Sequence, residues 1–214
     1  MSVQRISPGS VISRIWEIYR DQTAVLVGTA AVLFALQLAV LLVLPGASIA
    51  ITILFWALNV LYQGMVVELV QDLESGRRDH SVADLLRSVE PVLLPLMGVS
   101  VLYAIGVAIG FVLLIIPGLI LLVMWSVVAP VTVVERPGVL AAFARSRELV
   151  RGNGWAVFGV IVLLGLAVVV VSVAAGLAAA SLGSVGGAVI EWAVTAAVAP
   201  LAALSASVLY FALR

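Results

Sequence analysis

The chain has 214 residues, 64% of them hydrophobic and only 10% charged, with a mean hydropathy of +1.28 and a formal net charge of +0. A soluble domain of this length needs a larger polar fraction to cover its surface, and a duplex-binding protein needs a basic face that this chain lacks, so nucleic acid is not an expected partner. Cysteine is absent and His80 is the only histidine, which excludes disulfides, thiolate metal sites and any metal centre built on two imidazoles of one chain; no cofactor is expected.

Residues 1–22 have no early apolar core and no A-x-A-like cleavage site, so they do not read as a secretory signal. Within them, residues 10–21 predict a short amphipathic helix. Val11, Ile12, Ile15, Trp16 and Tyr19 share one face, and Ser13, Arg14, Glu17 and Arg20 the other. A first span follows at about 23–44 and is turned by Pro45-Gly46; a second runs over about 49–70. Residues 81–90 predict another short amphipathic helix, with Val82, Leu85, Leu86 and Val89 on its apolar face. A third span covers about 92–116, and Pro117-Gly118 breaks it. A fourth covers about 119–134, near the lower length limit, with Pro130 expected to kink it. Residues 137–151 form a third amphipathic helix, with Val139, Leu140, Phe143 and Val150 opposite Arg145 and Glu148. The fifth span is about 155–180, turned by Ser181-Leu182-Gly183-Ser184, and the sixth about 187–213. A membrane-crossing helix needs about 17–25 apolar residues. Helices are the expected state because backbone groups in hydrocarbon must be satisfied within the segment, and the period-2 alternation of a barrel is missing.

All eleven basic residues are arginine: Arg5, Arg14, Arg20, Arg77, Arg78, Arg87, Arg136, Arg145, Arg147, Arg151 and Arg214. If the spans cross as hairpins, every arginine falls on one side, which by the positive-inside rule is cytoplasmic and puts both termini there. The expected fold is an all-α polytopic membrane bundle of about six spans with three cytoplasmic interfacial helices. Units 10–70, 81–135 and 137–213 would be a threefold internal repeat. Val11, Val82 and Val139 hold equivalent places, each followed four residues later by Ile15, Leu86 or Phe143.

Residues 117–155 read PGLILLVMWSVVAPVTVVERPGVLAAFARSRELVRGNGW. In Pro117-Gly118, Pro130, Glu135, Gly138, Ala142, Arg145-Ser146, Leu149-Val150, Arg151-Gly152 and Trp155 this stretch resembles the membrane domain of bacterial glycerophosphodiester phosphodiesterases and its stand-alone, uncharacterised integral-membrane relatives. It departs from them at Arg147, in place of an aromatic, and at Asn153-Gly154, in place of a more basic pair. The resemblance implies a membrane domain alone. The phosphodiesterase activity of that family sits in a separate barrel of about 250 residues, for which this chain has neither the histidines nor the length.

The residues suggest further roles. Glu135, beside Arg136 and within reach of Arg145 or Arg151, should be paired, because a carboxylate at the membrane surface is otherwise costly. Arg145, Arg147 and Arg151 are candidates for contact with anionic lipid headgroups. Asn59 and Gln63, with Thr52, make a polar stripe at helical spacing in the second span; they should bond a neighbouring helix, with Gln37 as partner, or line a path together with Glu191. Glu191, beside Trp192, is expected near the start of the sixth span, where the helix dipole favours an acid. Gly106-x-x-x-Gly110, Ser172 with Gly176, and Ala196, Ala197, Ala203 and Ser207 are close-packing positions. Walker loops, zinc spacings, H-E-x-x-H and G-x-S-x-G are absent. An intramembrane enzyme would need two titratable groups at one depth, and only Glu135 with Glu68 comes close.

The expected function is that of a non-enzymatic membrane module. It would bind membrane lipids or another membrane protein through its arginine-bearing helices, with Val139, Leu140 and Phe143 inserted among headgroups. The alternative is a small-molecule or lipid transporter or translocator with a polar cavity.

Overall fold

The computed structural model describes residues 6–43, 49–76 and 81–214. Arg5, Arg77, Arg78, His80 and the expected turn at Pro45-Gly46 lie outside the described residues. The helices are α1 (Pro8–Asp21), α2 (Thr23–Val43), α3 (Ile49–Glu74), α4 (Val82–Val89), α5 (Leu93–Leu113), α6 (Ile115–Met124), α7 (Val128–Val134), α8 (Val139–Val150), α9 (Gly154–Ala180) and α10 (Gly183–Leu213), with one 3₁₀ turn at Glu90–Val92. Among the described residues there is no strand. Six stretches of the described residues are long and apolar enough to cross a membrane: Thr23–Val40, Ile49–Glu74, Val82–Leu113, Ile115–Val134, Gly154–Ala180 and Val185–Leu213. The protein is an all-α polytopic membrane helix bundle. Its outer surface is apolar, as lipid requires: Leu166, Val170 and Leu177 of α9 and Ile105, Ile109 and Val112 of α5 are all exposed.

The central helix is α10, which packs on α1, α2, α3, α7, α8 and α9. It can approach so many neighbours because its buried face is made of small residues. Ala196, Ala203 and Ser207 are buried alongside Leu204, Leu209 and Tyr210. With no hydrophobic effect acting between helices in lipid, close backbone approach and dispersion supply the association energy. Ser172 and Gly176 of α9 do not join this packing. Both are exposed, and nothing lies within 4 Å of a Cβ built on Gly176. Gly106 and Gly110, by contrast, pack inside the chain. A Cβ on Gly106 would lie 2.4 Å from the Trp125 ring, and one on Gly110 would lie 2.9 Å from the Gly118 Cα.

Two breaks sit upstream of where the prolines suggest. The chain reverses between α5 and α6 at Leu114, which is extended (φ −165°, ψ 151°), rather than at Pro117-Gly118. Pro117 is the third residue of α6, where a helix has no internal partner for an N–H anyway. The fourth span is two helices, broken at Trp125-Ser126-Val127. Pro130 is the third residue of α7, with no kink at its own position. Its ring would clash with the carbonyl four residues back, that of Ser126, and this is where the ladder fails. Ser126 N–H bonds the Val123 carbonyl at 3.3 Å and Val128 N–H the Trp125 carbonyl at 3.1 Å, both three residues back.

The short helices bury their apolar faces in the bundle. On α1, Val11, Ile15 and Ile18 are buried. Ile6 N–H bonds Asn153 Oδ1 at 3.3 Å, and the Tyr19 hydroxyl donates to the Ala197 carbonyl at 2.9 Å. The helix therefore lies along α9 and α10, with Trp16 exposed and stacked on Tyr19 at 5.8 Å between centroids. On α4 the buried residues are Leu85 and Val89, and on α8 they are Ala142, Ser146, Leu149 and Val150. Counted from Val11, Val82 and Val139, all three helices bury the residue seven places on (Ile18, Val89 and Ser146), and α4 and α8 also share the one three places on (Leu85 and Ala142), where α1 instead buries Val11 and Ile15.

Candidate functional site

The loop between α7 and α8 is held by Glu135. Its Oε2 accepts from Arg145 Nε at 2.9 Å, and its Oε1 accepts from the Tyr210 hydroxyl at 3.0 Å. Arg145 also reaches Glu148 at 3.4 Å. The hydrogen bond to Glu135 holds the Arg145 guanidinium above the ordinary arginine range, outweighing the opposite effect of burial. Arg136 does not share in this pairing. It takes a positive φ of 52°, rare for a residue with a side chain, and its Nε donates to the Val133 carbonyl at 3.3 Å. A second ion pair ties α1 to α3, with Arg14 contacting Glu74 at 2.9 Å as well as Glu17 at 2.8 Å. Arg14 is likewise held above the usual range, by its bond to Glu17 first and Glu74 second.

The three arginines of α8 and its C-terminus part company. Arg145 is taken by carboxylates. Arg147 and Arg151 are exposed and, among the described residues, make no ion pair; they line a cleft of about 1110 Å³ between α6, α8 and the start of α9. Its wall on α6 is apolar, made by Ile116, Leu119, Ile120 and Val123, and Phe158 faces it from α9. Trp155, 87% exposed, stands at its edge. Gly152, at φ 92°, makes the turn from α8 into α9 that sets Arg151 and Trp155 on this cleft.

Of Val139, Leu140 and Phe143, the residues expected to insert among headgroups, Leu140 alone is exposed. Leu140 is 78% exposed. Phe143 packs edge-to-face on Trp125 at 4.8 Å, and Val139 lies against Gly98. Amphipathic spacing found the helix but could not tell a face turned to lipid from one turned to protein.

The polar stripe does not form as a unit. Asn59 turns its amide back onto its own helix, donating to the Phe55 carbonyl at 2.8 Å, and Gln37 Oε1 is buried with no partner among the described residues. Glu191 is not at a helix start. It is the ninth residue of α10 and is exposed; its neighbour Trp192 donates from Nε1 to the Ala31 carbonyl at 3.2 Å. Gln63 does reach a cavity of about 420 Å³, lined also by Ser100, Tyr103, Trp125, Ser126 and Ser205 at the α6–α7 break. Sequence reading missed the serines, which look like ordinary small residues in apolar helices. It singled out Ser146 but missed its role: the residue is fully buried, and its hydroxyl donates to the Met124 carbonyl at 2.9 Å and caps α6.

Part of the chain is 33% identical, over 95 residues, to a UPF0259 membrane protein of Pectobacterium carotovorum subsp. carotovorum (strain PC1). The match takes in 44% of this chain and 38% of that relative's length. No family model and no solved structure matches, and the resemblance of residues 117–155 to a phosphodiesterase membrane domain rests on those residues alone.

Proposed function

We propose that the chain is a non-enzymatic membrane module that binds an anionic phospholipid in the cleft between α6, α8 and α9, with its arginine-bearing ends and both termini in the cytoplasm. The observation that carries this reading is the pairing of an apolar wall in one cleft with two guanidiniums, Arg147 and Arg151, that make no ion pair among the described residues. A phosphate meets the arginines, and part of an acyl chain lies along Ile116, Leu119 and Ile120. Ile116 and Ile120 are themselves exposed, so a chain enters sideways from the bilayer. Each arginine near an anionic headgroup adds on the order of 1 kcal/mol. A phosphodiester headgroup is also in keeping with the resemblance of residues 117–155 to a domain that accompanies glycerophosphodiester chemistry.

Native mass spectrometry of the protein taken from equal phosphatidylglycerol and phosphatidylcholine tests this. The wild type should retain phosphatidylglycerol preferentially, and R147A/R151A should lose about tenfold or more of that preference, as about 2 kcal/mol implies. R20A, on an exposed arginine of α1, should keep it. Equal retention of both lipids by the wild type overturns the reading, as does an unchanged preference in R147A/R151A.

A further inference from the structure

We infer that the cavity at the α6–α7 break is a site for a small, uncharged polyol. This goes beyond the lipid reading and does not rest on it, since the lipid cleft and the cavity share no lining residue.

The argument begins with position. Gln63, Ser100, Ser126 and Ser205 each lie about two helical turns or more from either end of their spans. Polar groups at such places are costly unless something bonds them. Four of the lining groups lack full partners. The Ser126 hydroxyl oxygen is buried with no hydrogen bond among the described residues, and its carbonyl loses its usual helical donor because Pro130 has no N–H. Among the described residues, neither the Gln63 amide nor the Tyr103 hydroxyl makes a hydrogen bond, yet both line the cavity. The other two serines have given their protons away, Ser100 to the Leu96 carbonyl at 2.8 Å and Ser205 to the Ala202 carbonyl at 2.7 Å. Each therefore turns only acceptor lone pairs to a guest.

Charge and size then narrow the guest. No carboxylate, guanidinium or imidazole is among the lining residues, so nothing there neutralises an ion. Acceptors outnumber donors, which favours a neutral molecule rich in hydroxyl protons. A volume of about 420 Å³ is roughly fourteen times the ~30 Å³ share of one water, enough for a polyol of about three to six carbons. The apolar residues Val99, Leu122, Ile161 and Leu209 meet its carbon skeleton.

The absence of cysteine from the chain makes a direct test available. In the full chain reconstituted in vesicles, S126C places one thiol in the cavity and S13C places one on the exposed face of α1. N-ethylmaleimide labelling is followed against rising glycerol. The S126C rate should fall at least threefold and saturate, while S13C changes only with bulk viscosity. Labelling of S126C that is unprotected, or slowed only in parallel with S13C, means that water alone fills the cavity and overturns the proposal. Failure of S126C to label in the folded protein means the cavity is closed to solutes and overturns it equally. S205C, on a different helix, should repeat the protection and decides the matter if S126C does not fold.

Discussion

The hydroxyl of Tyr210 and the carboxylate of Glu135, 75 residues apart, meet at 3.0 Å, and the other oxygen of the same carboxylate takes Arg145. One acid thus joins the α7–α8 loop, α8 and the far end of α10. Replacing Glu135 with Ala should leave Tyr210, which is 0% exposed, without its acceptor. The Arg145 pair is partly solvated and is worth at most about 1 kcal/mol. The hydrogen bond to a charged acceptor is worth about 1.5–3 kcal/mol. Thermal melts in detergent should therefore rank E135A as clearly more damaging than R145A; equal effects would show that the ion pair dominates.

Ser146 should matter more than its size suggests. S146A removes the donor to the Met124 carbonyl at a buried position and should cost about 1–3 kcal/mol. S205A, whose hydroxyl is exposed and bonds its own helix, should cost less than half as much. Parallel denaturation of the two variants checks the ranking.

Two glycine-to-alanine changes should differ sharply. At Gly106 a Cβ meets the Trp125 ring, and overpacking of this kind costs about 1–3 kcal/mol. At Gly176 there is open space and a helical backbone, so alanine should be neutral or slightly stabilising. Melting temperatures of G106A and G176A provide the comparison, and Trp fluorescence should shift only in G106A.

Burial raises the Tyr19 hydroxyl above its ordinary value of 10.0, and the neutral form is the one that donates to Ala197. The unfolded chain releases this proton first as pH rises. The contribution is thus complete below about pH 10 and is lost as pH climbs through the higher folded value. Stability of the wild type should fall more steeply between about pH 9.5 and about pH 11 than stability of Y19F.

Threading is tested by thiol labelling from one side of sealed vesicles. S13C and S181C, at opposite ends of the bundle in the proposed topology, should label from opposite faces. Labelling of both from the same face would remove the orientation and the cytoplasmic placement of the arginines.

The six spans were legible because lipid imposes its requirement residue by residue, and a run of apolar side chains reports it without knowledge of neighbours. Breaks were legible only approximately. Pro117 and Pro130 announce a lost hydrogen bond, but the disturbance falls three to four residues upstream, at Leu114 and Ser126, because the ring acts on the preceding turn. The partner of Glu135 was legible only as a nearby arginine, with Arg136, Arg145 and Arg151 all candidates and Arg136 the wrong one, whereas nothing local points to Tyr210. Asn59 shows the limit for polar residues: bonding its own helix and bonding a neighbour leave the same trace in the sequence.

Placing α10 at the hub has a consequence for biogenesis. Helices α1 to α9 leave the ribosome before it, and α2, whose main packing partner is α10, must wait in the bilayer for the surface against which it settles. Assembly of this bundle is therefore a late event in synthesis, and chains stopped before residue 183 should be substrates for membrane quality-control proteases.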